Sequence, residues 1–237
     1  MTGDAAQGVS AARSGRQSAG PPTLDVRRLG TVPYPEALAM QRELVEDRRA
    51  GRVPDLLLLL QHPPVITLGV RAGARANVVA TPDRLAALGI DVVESGRGGD
   101  VTFHGPGQVV GYPIVDLRPG RCDVHRYVRD LEEVMIRACA AYGVAAGRVQ
   151  GLTGAWVGAE KIGAIGIRIS RWITSHGFAF NVGTDLDHFR LIVPCGIGDR
   201  GVTSLERVTG RAIPVAEAED ALVDAFADVF DRQPMSA

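Results

Sequence analysis

The sequence predicts an α/β or α+β domain, because strand and helix signals follow one another along most of its 237 residues. The run Leu56–Leu60 is apolar throughout, which is typical of a strand buried on both faces. Apolar residues recur at helical spacing in Val124–Tyr142 and Val215–Phe230, whereas Ala155–Val182 alternates and is rich in Ile, Val and Phe. No run approaches the roughly 18 apolar residues that a membrane-spanning helix requires.

Each element has its own local signal. Strands are predicted at Leu24–Arg28, Leu56–Gln61, Val65–Leu68, Val92–Glu94, Val101–His104 and Gly111–Leu117, and as one short and two longer strands between Ala155 and Val182. Helices are predicted at Tyr34–Ala50, from Pro82 to Gly89, at Val124–Tyr142 and at Val215–Phe230. Thr81 and Asp123 suit the N-cap positions of the second and third helices. The third helix has an apolar stripe formed by Val124, Tyr127, Val128, Leu131, Val134, Met135, Ala138 and Tyr142.

The N-terminal segment differs in composition from the rest of the chain. Residues 1–22 are rich in Ala, Gly, Ser and Gln and lack the apolar stretch of a secretory signal. We predict a disordered tail over residues 1–22 and a single domain over residues 23–237. The three cysteines have no metal-like spacing, which favours reduced thiols in a cytoplasmic protein.

Charge is unevenly distributed along the chain. Residues 217–232 hold six acids and one arginine, so the remainder carries +4 although the net charge is −1. This mildly basic body could attract acidic partners, and solubility alone would also explain it. We expect neither nucleic acid nor a membrane among the partners.

The sequence contains a single lysine, Lys161, beside 25 arginines. A genome biased toward arginine codons explains the arginines but not the exception. Arginine replaces lysine readily as a surface charge, yet it does not release a proton near neutral pH. Lys161 is therefore a candidate for proton chemistry, and on this observation alone both interpretations remain open.

Two stretches, 97–108 and 161–181, contain more glycine and polar residues than a scaffold requires. Glycine lets the main chain approach a ligand closely, although a pair of tight hairpin turns would also explain the first stretch. That stretch lacks the GKS or GKT ending of a phosphate-binding loop. Cys195 lies between proline and glycine, where a thiol is accessible. Cys139 lies within a helix as a small core residue, and Cys122 lies in a polar loop.

Three blocks of the sequence, taken in order, resemble the signature blocks of the lipoyl(octanoyl) transferase family. They are RGGDVTFHGPGQVVGYP, KIGAIGIRISRWITSHGFAFNV and PCGI, and the resemblance extends from about Leu24 to Leu205. Gly163 and Trp172 depart from the family pattern, which could alter the shape of an acyl pocket. The resemblance implies the fold of the biotin and lipoate protein ligase catalytic domain, a mixed sheet flanked by helices, with residues 23–237 as the octanoyltransferase catalytic domain.

The resemblance also implies roles for individual residues. Cys195 would carry the acyl group as a thioester, and Lys161 would lower the pKa of the thiol and then accept a proton from the incoming amine. A neighbouring ammonium favours a thiolate, and only a few per cent of a free cysteine is ionised at pH 7. The substrate site would be lined by Arg97, Gly98, Gly99, Asp100, Val101, Thr102, Phe103, His104, Ala164, Ile165, Gly166, Gly177, Phe178 and Ala179.

Several further expectations follow from the resemblance. Small residues at 163, 164, 166 and 177 would leave room for an acyl chain among Ile162, Ile165, Phe178 and Phe180. His104 and His176 could position a substrate carbonyl or the thiol, or could be structural hydrogen-bonding groups. No cofactor and no metal are implied. The partners would be octanoyl-acyl carrier protein as donor, and the lipoyl domains of 2-oxoacid dehydrogenase complexes and glycine cleavage H protein as acceptors.

Three alternatives remain at this point. An ATP-dependent lipoate or biotin ligase shares the fold, but the first block lacks a GRGR pattern and ends in HGPGQ rather than HDxGN. A catalytically silent acyl- or carrier-binding protein would not need both Cys195 and Lys161. A cysteine hydrolase is disfavoured because no Cys–His–Asn order is evident.

Overall fold

A computed structural model of the chain describes residues 20–193 and 200–236. Ten strands are assigned in this part: β1 (Thr23–Thr31), β2 (Asp55–Gln61), β3 (Val65–Leu68), β4 (Asp91–Glu94), β5 (Val101–His104), β6 (Gln108–Ile114), β7 (Ala155–Val157), β8 (Glu160–Ser170), β9 (Ile173–Asn181) and β10 (Gln233–Ser236). The α-helices are α1 (Tyr34–Arg49), α2 (Pro82–Ala87), α3 (Val124–Ala140), α4 (Leu205–Thr209) and α5 (Val215–Phe230). Short 3-10 helices occupy Ala74–Asn77 and Leu186–Leu191.

The strands form two sheets. The larger has seven strands in the order β10-β1-β2-β6-β9-β8-β7, and its pairs are parallel on both sides of β1 and antiparallel from β2 onward. The smaller has the order β4-β3-β5, with β3 parallel to β4 and antiparallel to β5. The mixed α/β fold expected from the sequence is confirmed, and its division into two sheets was not foreseen.

Strand β2 of the large sheet is buried on both faces, as its apolar run predicts. Leu57 and Leu59 belong to one core with α3 and α5, whereas Leu56, Leu58 and Leu60 belong to another with α1. Successive side chains of a strand point to opposite faces, so five consecutive leucines contribute to two hydrophobic cores. The small sheet has its own core around Ile66, whose members include Phe103 and Leu85.

Most element predictions are confirmed, and two need correction. β6 begins and ends three residues earlier than predicted, because Gln108 already pairs with Asn181 of β9. Val124 is 45% exposed at the first position of α3 and does not join the buried stripe. β10, α4 and the 3-10 helices were not predicted from the sequence. None of the helices within the described ranges is long and apolar enough to cross a membrane.

Candidate active site

Residues from both sheets line a cavity of about 430 Å³. Arg97 and Gly98 line it together with residues of β5, and further lining residues belong to β8 and β9. Of the residues proposed from the sequence to bind substrate, the cavity is lined by Arg97, Gly98, Gly99, Asp100, Val101, Thr102, His104, Ala164, Ile165, Gly166, Gly177, Phe178 and Ala179. The structure therefore brings two separate sequence blocks to one cavity.

The glycine segment docks directly on β8. Gly98 donates its backbone N–H to the Ile167 carbonyl at 2.8 Å. A β-carbon at Gly166 would lie 2.8 Å from Cδ of Arg97 and 3.0 Å from the Gly98 carbonyl oxygen. The guanidinium of Arg97 donates to the Thr67 carbonyl at 2.7 Å and to the Thr67 hydroxyl at 2.9 Å. Glycine at 166 thus allows Arg97 to cross the strand while its charge stays hydrogen-bonded.

Asp100 has a structural partner within this wall. Its carboxylate is 2% exposed and accepts the Asn77 side-chain amide at 2.8 and 2.9 Å. The Asn77 carbonyl in turn accepts the backbone N–H of Val193 at 2.7 Å. Asp100 therefore helps to hold the chain two residues before Cys195. Cys195 itself, with the rest of residues 194–199, lies outside the described residues.

Lys161 lines the same cavity and has a defined environment. Its Nζ lies 4.8 Å from the ring centroid of Trp156, at a cation–π distance. Its backbone N–H donates to the Gly201 carbonyl at 3.0 Å, and its carbonyl accepts from Thr203 N–H at 2.9 Å. Arg200, which lies 5.8 Å from the same indole ring, places a second cation nearby. Two cationic side chains, those of Lys161 and Arg200, therefore lie close to Trp156.

A bulge in β8 determines which side chains face the cavity. Trp156 pairs with Lys161 but Ala155 pairs with Gly163, which leaves Ile162 unpaired between them. Ile162 and Phe180 are fully buried in the core shared with α3 and α5 and are not among the residues that line the cavity. The extra residue of a bulge re-aims the neighbouring side chains, and the sequence pattern did not reveal it.

Two other expected positions lie away from the cavity. Phe103 is 1% exposed in the core of the small sheet, with its ring centroid 5.6 Å from that of Phe189. It thus supports the wall rather than forming it. Trp172 has a left-handed φ of 67° in the turn between β8 and β9 and is 36% exposed. The departure at Trp172 therefore does not shape the cavity.

Three buried histidines lie beside the cavity, and burial keeps all of them neutral. It lowers the pKa of His62 and of His176 to about 4 and that of His104 well below the usual range. His62 donates from Nδ1 to the Val32 carbonyl at 2.6 Å, and the Tyr112 hydroxyl donates to its Nε2 at 2.8 Å. These contacts indicate that His62 is a structural imidazole.

Trp156, Tyr34 and Tyr112 also line the cavity and were not predicted from the sequence. The signal for Trp156 was present, because the predicted turn near Gly158 places it across a hairpin from Lys161. The tyrosines occupy buried positions in a helix and a strand, where nothing in the local pattern distinguishes them from core residues. Among the described residues no group of three His, Cys, Asp or Glu side chains could hold a metal ion.

Comparisons with known proteins identify the family. The model of the lipoyl protein ligase A/B catalytic domain matches residues 33–227. The chain belongs to this family. An octanoyltransferase of Rubrobacter xylanophilus is 56% identical over 209 residues, which span 87% of this chain and 94% of that protein. One of Chloroflexus aggregans is 53% identical over 218 residues, spanning 91% of this chain and 98% of that protein.

A third octanoyltransferase, from Myxococcus xanthus, is 52% identical over 221 residues. These residues span 91% of this chain but only 62% of that protein, so the chain spans less than two thirds of this relative. The two relatives of similar length place the chain among the octanoyltransferases of the family, which are acyltransferases.

Solved structures agree at the level of the fold. A lipoate-protein ligase A bound with ATP superposes with a TM-score of 0.73 at 16% identity, covering 91% of this chain and 89% of that one. A bipartite lipoate protein ligase from Thermoplasma acidophilum gives 0.71 at 16% identity, covering 92% and 88%. A biotin protein ligase from Aquifex aeolicus gives 0.54 at 13% identity, covering 88% and 70%. The expected ligase-type fold is confirmed.

Proposed function

We propose that the chain transfers an octanoyl or lipoyl group from an acyl carrier protein thioester to a protein lysine in two half-reactions, through an acyl-thioester on Cys195. The observation that carries this proposal is the position of Lys161. The only lysine of the sequence lines a cavity beside a second cation and next to a segment that leads from Cys195. Such a site can both stabilise a thiolate and exchange a proton.

In the first half-reaction the Cys195 thiolate attacks the carbonyl carbon of the donor thioester. A new carbon–sulfur bond forms, the bond to the carrier sulfur breaks, and the carrier leaves as a thiolate that takes up the proton of the Lys161 ammonium, which leaves Lys161 neutral. The described anchors support the participation of Cys195. The backbone N–H of Val193 donates a hydrogen bond to the Asn77 carbonyl, and the backbone N–H of Lys161 donates one to the Gly201 carbonyl. Both contacts lead to residues that line the cavity, through Asp100 in the case of Asn77 and directly in the case of Lys161.

The other cysteines are poor candidates for this attack. Cys139 is fully buried in α3, and burial raises its pKa to about 12. Its thiol is therefore protonated near neutral pH and inaccessible. Cys122 is exposed in the loop before α3, and its Sγ lies 3.6 Å from the Leu117 carbonyl. It is not among the residues that line the cavity described above.

In the second half-reaction the ε-amine of an acceptor lysine attacks the acyl-Cys195 carbonyl. An amide forms, the carbon–sulfur bond breaks, and the amine must lose a proton. Lys161 in its neutral form accepts this proton, whereas an arginine would stay charged. Conversion of a thioester to an amide is downhill, so this route uses neither ATP nor a metal, and no cofactor is proposed.

The cavity wall supplies the binding surface for the acyl chain in this proposal. Ala164, Gly166, Gly177 and Ala179 contribute small residues from β8 and β9, and Ile165 and Phe178 contribute apolar surface. The remaining proposed binding residues are Arg97, Gly98, Gly99, Asp100, Val101, Thr102, Phe103 and His104, of which Phe103 acts by supporting β5. An unbranched acyl chain suits such a surface, because the chain is apolar and no wider than a methylene group.

The proposed acceptors are lipoyl domains of 2-oxoacid dehydrogenase complexes and glycine cleavage H protein, in the cytoplasm. In this role the chain would perform the first step of endogenous protein lipoylation. The ligase of the same fold remains the second candidate, since a structural relative was solved with ATP. At 16% identity that likeness concerns the fold alone.

Intact mass spectrometry after mixing with octanoyl-carrier protein tests the proposal. The wild type should gain one octanoyl group, which peptide mapping should locate on Cys195, and Cys195→Ser should gain none. Cys122→Ser is the matched control and should acylate normally. Acylation of Cys122 or Cys139 would contradict the assignment. Amide product from free octanoate, ATP and acceptor, without carrier, would establish the ligase instead.

A further inference from the structure

A continuous line of buried hydrogen bonds runs from His104 to the main chain of Lys161. His104 Nδ1 lies 2.7 Å from Gln108 Oε1, and Gln108 Nε2 donates to Asn181 Oδ1 at 2.9 Å. Asn181 Nδ2 donates to the Thr203 carbonyl at 3.0 Å, and Thr203 N–H donates to the Lys161 carbonyl at 2.9 Å. The line joins three different parts of the sequence.

In each hydrogen bond of this line, the donor is the group nearer His104 and the acceptor is the group nearer Lys161. Gln108 Nε2 also lies 3.3 Å from the Phe103 carbonyl, which fixes the amide nitrogen on that side and the oxygen toward His104. His104 must therefore donate from Nδ1, and its Nε2 faces the Thr67 hydroxyl at 3.4 Å. That hydroxyl already accepts from Arg97, so its hydrogen is left for the imidazole. The line thus begins at the glycine segment and has one consistent orientation.

The members of the line are almost inaccessible to solvent. His104 is 5% exposed, Gln108 1%, Asn181 4% and Thr203 1%. A buried amide is unfavourable unless its donors and acceptors are satisfied, and apolar residues would fill the same volume without that requirement. The polar side chains therefore point to a role beyond packing.

We propose that Gln108 and Asn181 are positioning residues for Lys161, an inference that rests on the catalytic role proposed above for this lysine. The Thr203 carbonyl that Asn181 holds belongs to the segment paired with Lys161 on both of its backbone groups, through Gly201 and Thr203. By fixing this segment, Asn181 determines where the Lys161 side chain lies relative to the Trp156 ring. His104 is the neutral start of the line and does not exchange protons during the reaction.

Asn181→Asp and Gln108→Glu each remove one link. An aspartate places a carboxylate oxygen against the Thr203 carbonyl, and a glutamate still accepts from His104 but no longer donates to Asn181. Both variants should slow transfer from acyl-enzyme to acceptor by about 10- to 100-fold, with the acceptor KM changed less than about twofold, because a displacement of about 1 Å has effects of this size.

Thr174→Val is the matched control. Thr174 is fully buried in the same strand, and its hydroxyl bonds to the Pro113 carbonyl at 2.7 Å and to Val115 N–H at 2.9 Å. It should lower the melting temperature without slowing transfer more than about twofold, because it is not part of the line. Slowing of all three variants in proportion to their loss of stability would overturn the proposal.

Lys161 itself provides an independent measurement. Since the sequence has one lysine, reductive methylation with ¹³C-formaldehyde labels Lys161 and the N-terminal amine, and NMR resolves the two signals. The Lys161 signal should shift or broaden in Asn181→Asp and stay unchanged in Thr174→Val, and an unchanged signal in Asn181→Asp would overturn the proposal. Full transfer activity in Lys161→Ala would instead remove the function proposed for the lysine, whereas an inactive Lys161→Ala with a near-native Asn181→Asp would remove only this inference.

Discussion

The sulfur of Met135 occupies the space that a side chain at residue 163 would require. A β-carbon built on Gly163 would collide with Met135 Sδ and lie 3.5 Å from the β-carbon of Ala155. Met135 is fully buried in α3, so glycine in β8 lets the helix approach the sheet closely. Gly163, which departs from the family pattern, therefore leaves space that Met135 of α3 fills.

Gly163→Ala should therefore reduce the free energy of unfolding by about 1–3 kcal/mol, because the added methyl group forces Met135 out of its place. Urea denaturation measures the loss. The same substitution made in a Met135→Ala background should cost much less, so the double-mutant cycle should give a coupling energy above about 0.5 kcal/mol. Additive effects would show that the two residues do not compete for space.

The sequence predicted the helices and most strands well because their signals are local. Thr81 and Asp123 cap their helices as expected, by accepting the backbone N–H groups of Arg84 and Arg126. β10 was missed because it depends on a distant pairing, Gln233 with Thr23 of β1. Its short sequence, QPMS, carries no strand signal of its own.

The site was predictable in its residue types but not in its geometry. The blocks around Arg97 and Lys161 were found from glycine and lysine usage and from family resemblance. The bulge that turns Ile162 into the core depends on how β7 pairs with β8. The buried amides of Gln108 and Asn181 look like ordinary polar residues until the tertiary fold brings them within 2.9 Å of each other.

Gly166→Ala should disturb the cavity through Arg97. The new β-carbon would stand 2.8 Å from Arg97 Cδ, so the guanidinium should shift from Thr67 into the space proposed for the acyl chain. We expect acylation by octanoyl-carrier protein to slow by about tenfold or more, since small displacements at a binding wall have effects of this size. Quenched-flow measurement of acyl-enzyme formation checks this.

Gly147→Ala is the control for that substitution. No atom lies within 4 Å of a β-carbon built at Gly147, so the variant should acylate at the native rate. Equal rates for Gly166→Ala and Gly147→Ala would mean that the position of Arg97 does not matter for acylation.

The buried histidines should make stability depend on pH. Burial lowers the pKa of His62 to about 4 in the folded chain, whereas an unfolded histidine titrates near about 6.5. Between these values the unfolded state binds more protons, so stability is complete above about pH 6.5 and falls as the pH decreases toward about 4. Between pH 7 and 5, the free energy of unfolding of His62→Gln should therefore fall by about 1–2 kcal/mol less than that of the wild type.

Urea denaturation of His62→Gln at the two pH values measures this difference. His125 is exposed on α3, and His125→Gln should behave as the wild type does. An equal loss of stability in His62→Gln and in the wild type would show that His62 is not neutral in the folded state.

The positive charge near the cavity should assist encounter with acidic partners. Arg71 and Arg200 line the cavity, and Arg71 is paired with Asp100 only at 3.8 Å. The apparent second-order rate with octanoyl-carrier protein should fall between about 0.03 and 0.3 M salt, because salt screens long-range attraction. Arg71→Ser should flatten this dependence, whereas Arg137→Ser on α3 should not. A rate independent of ionic strength in the wild type would exclude steering.

Lys161→Arg separates charge from proton transfer. If Lys161 only stabilises the Cys195 thiolate, an arginine should serve almost as well. If it also accepts the proton of the acceptor amine, arginine should fail, because its pKa above about 12 keeps it charged. We expect the variant to form acyl-enzyme at a reduced but measurable rate and to transfer the acyl group at least about 100-fold more slowly, the usual size of a general-base contribution.

Single-turnover kinetics of the two half-reactions decides between these roles for Lys161, because acylation and transfer are then observed separately. Arg200→Lys is the informative control, since it keeps the second cation beside Trp156 and leaves Lys161 in place. It should retain both half-reactions within a fewfold of the wild type. Near-native rates of both steps in Lys161→Arg would show that Lys161 contributes only its positive charge. A variant that fails only in acylation would make thiol activation its main task, and the proton would then leave the acceptor amine by another group.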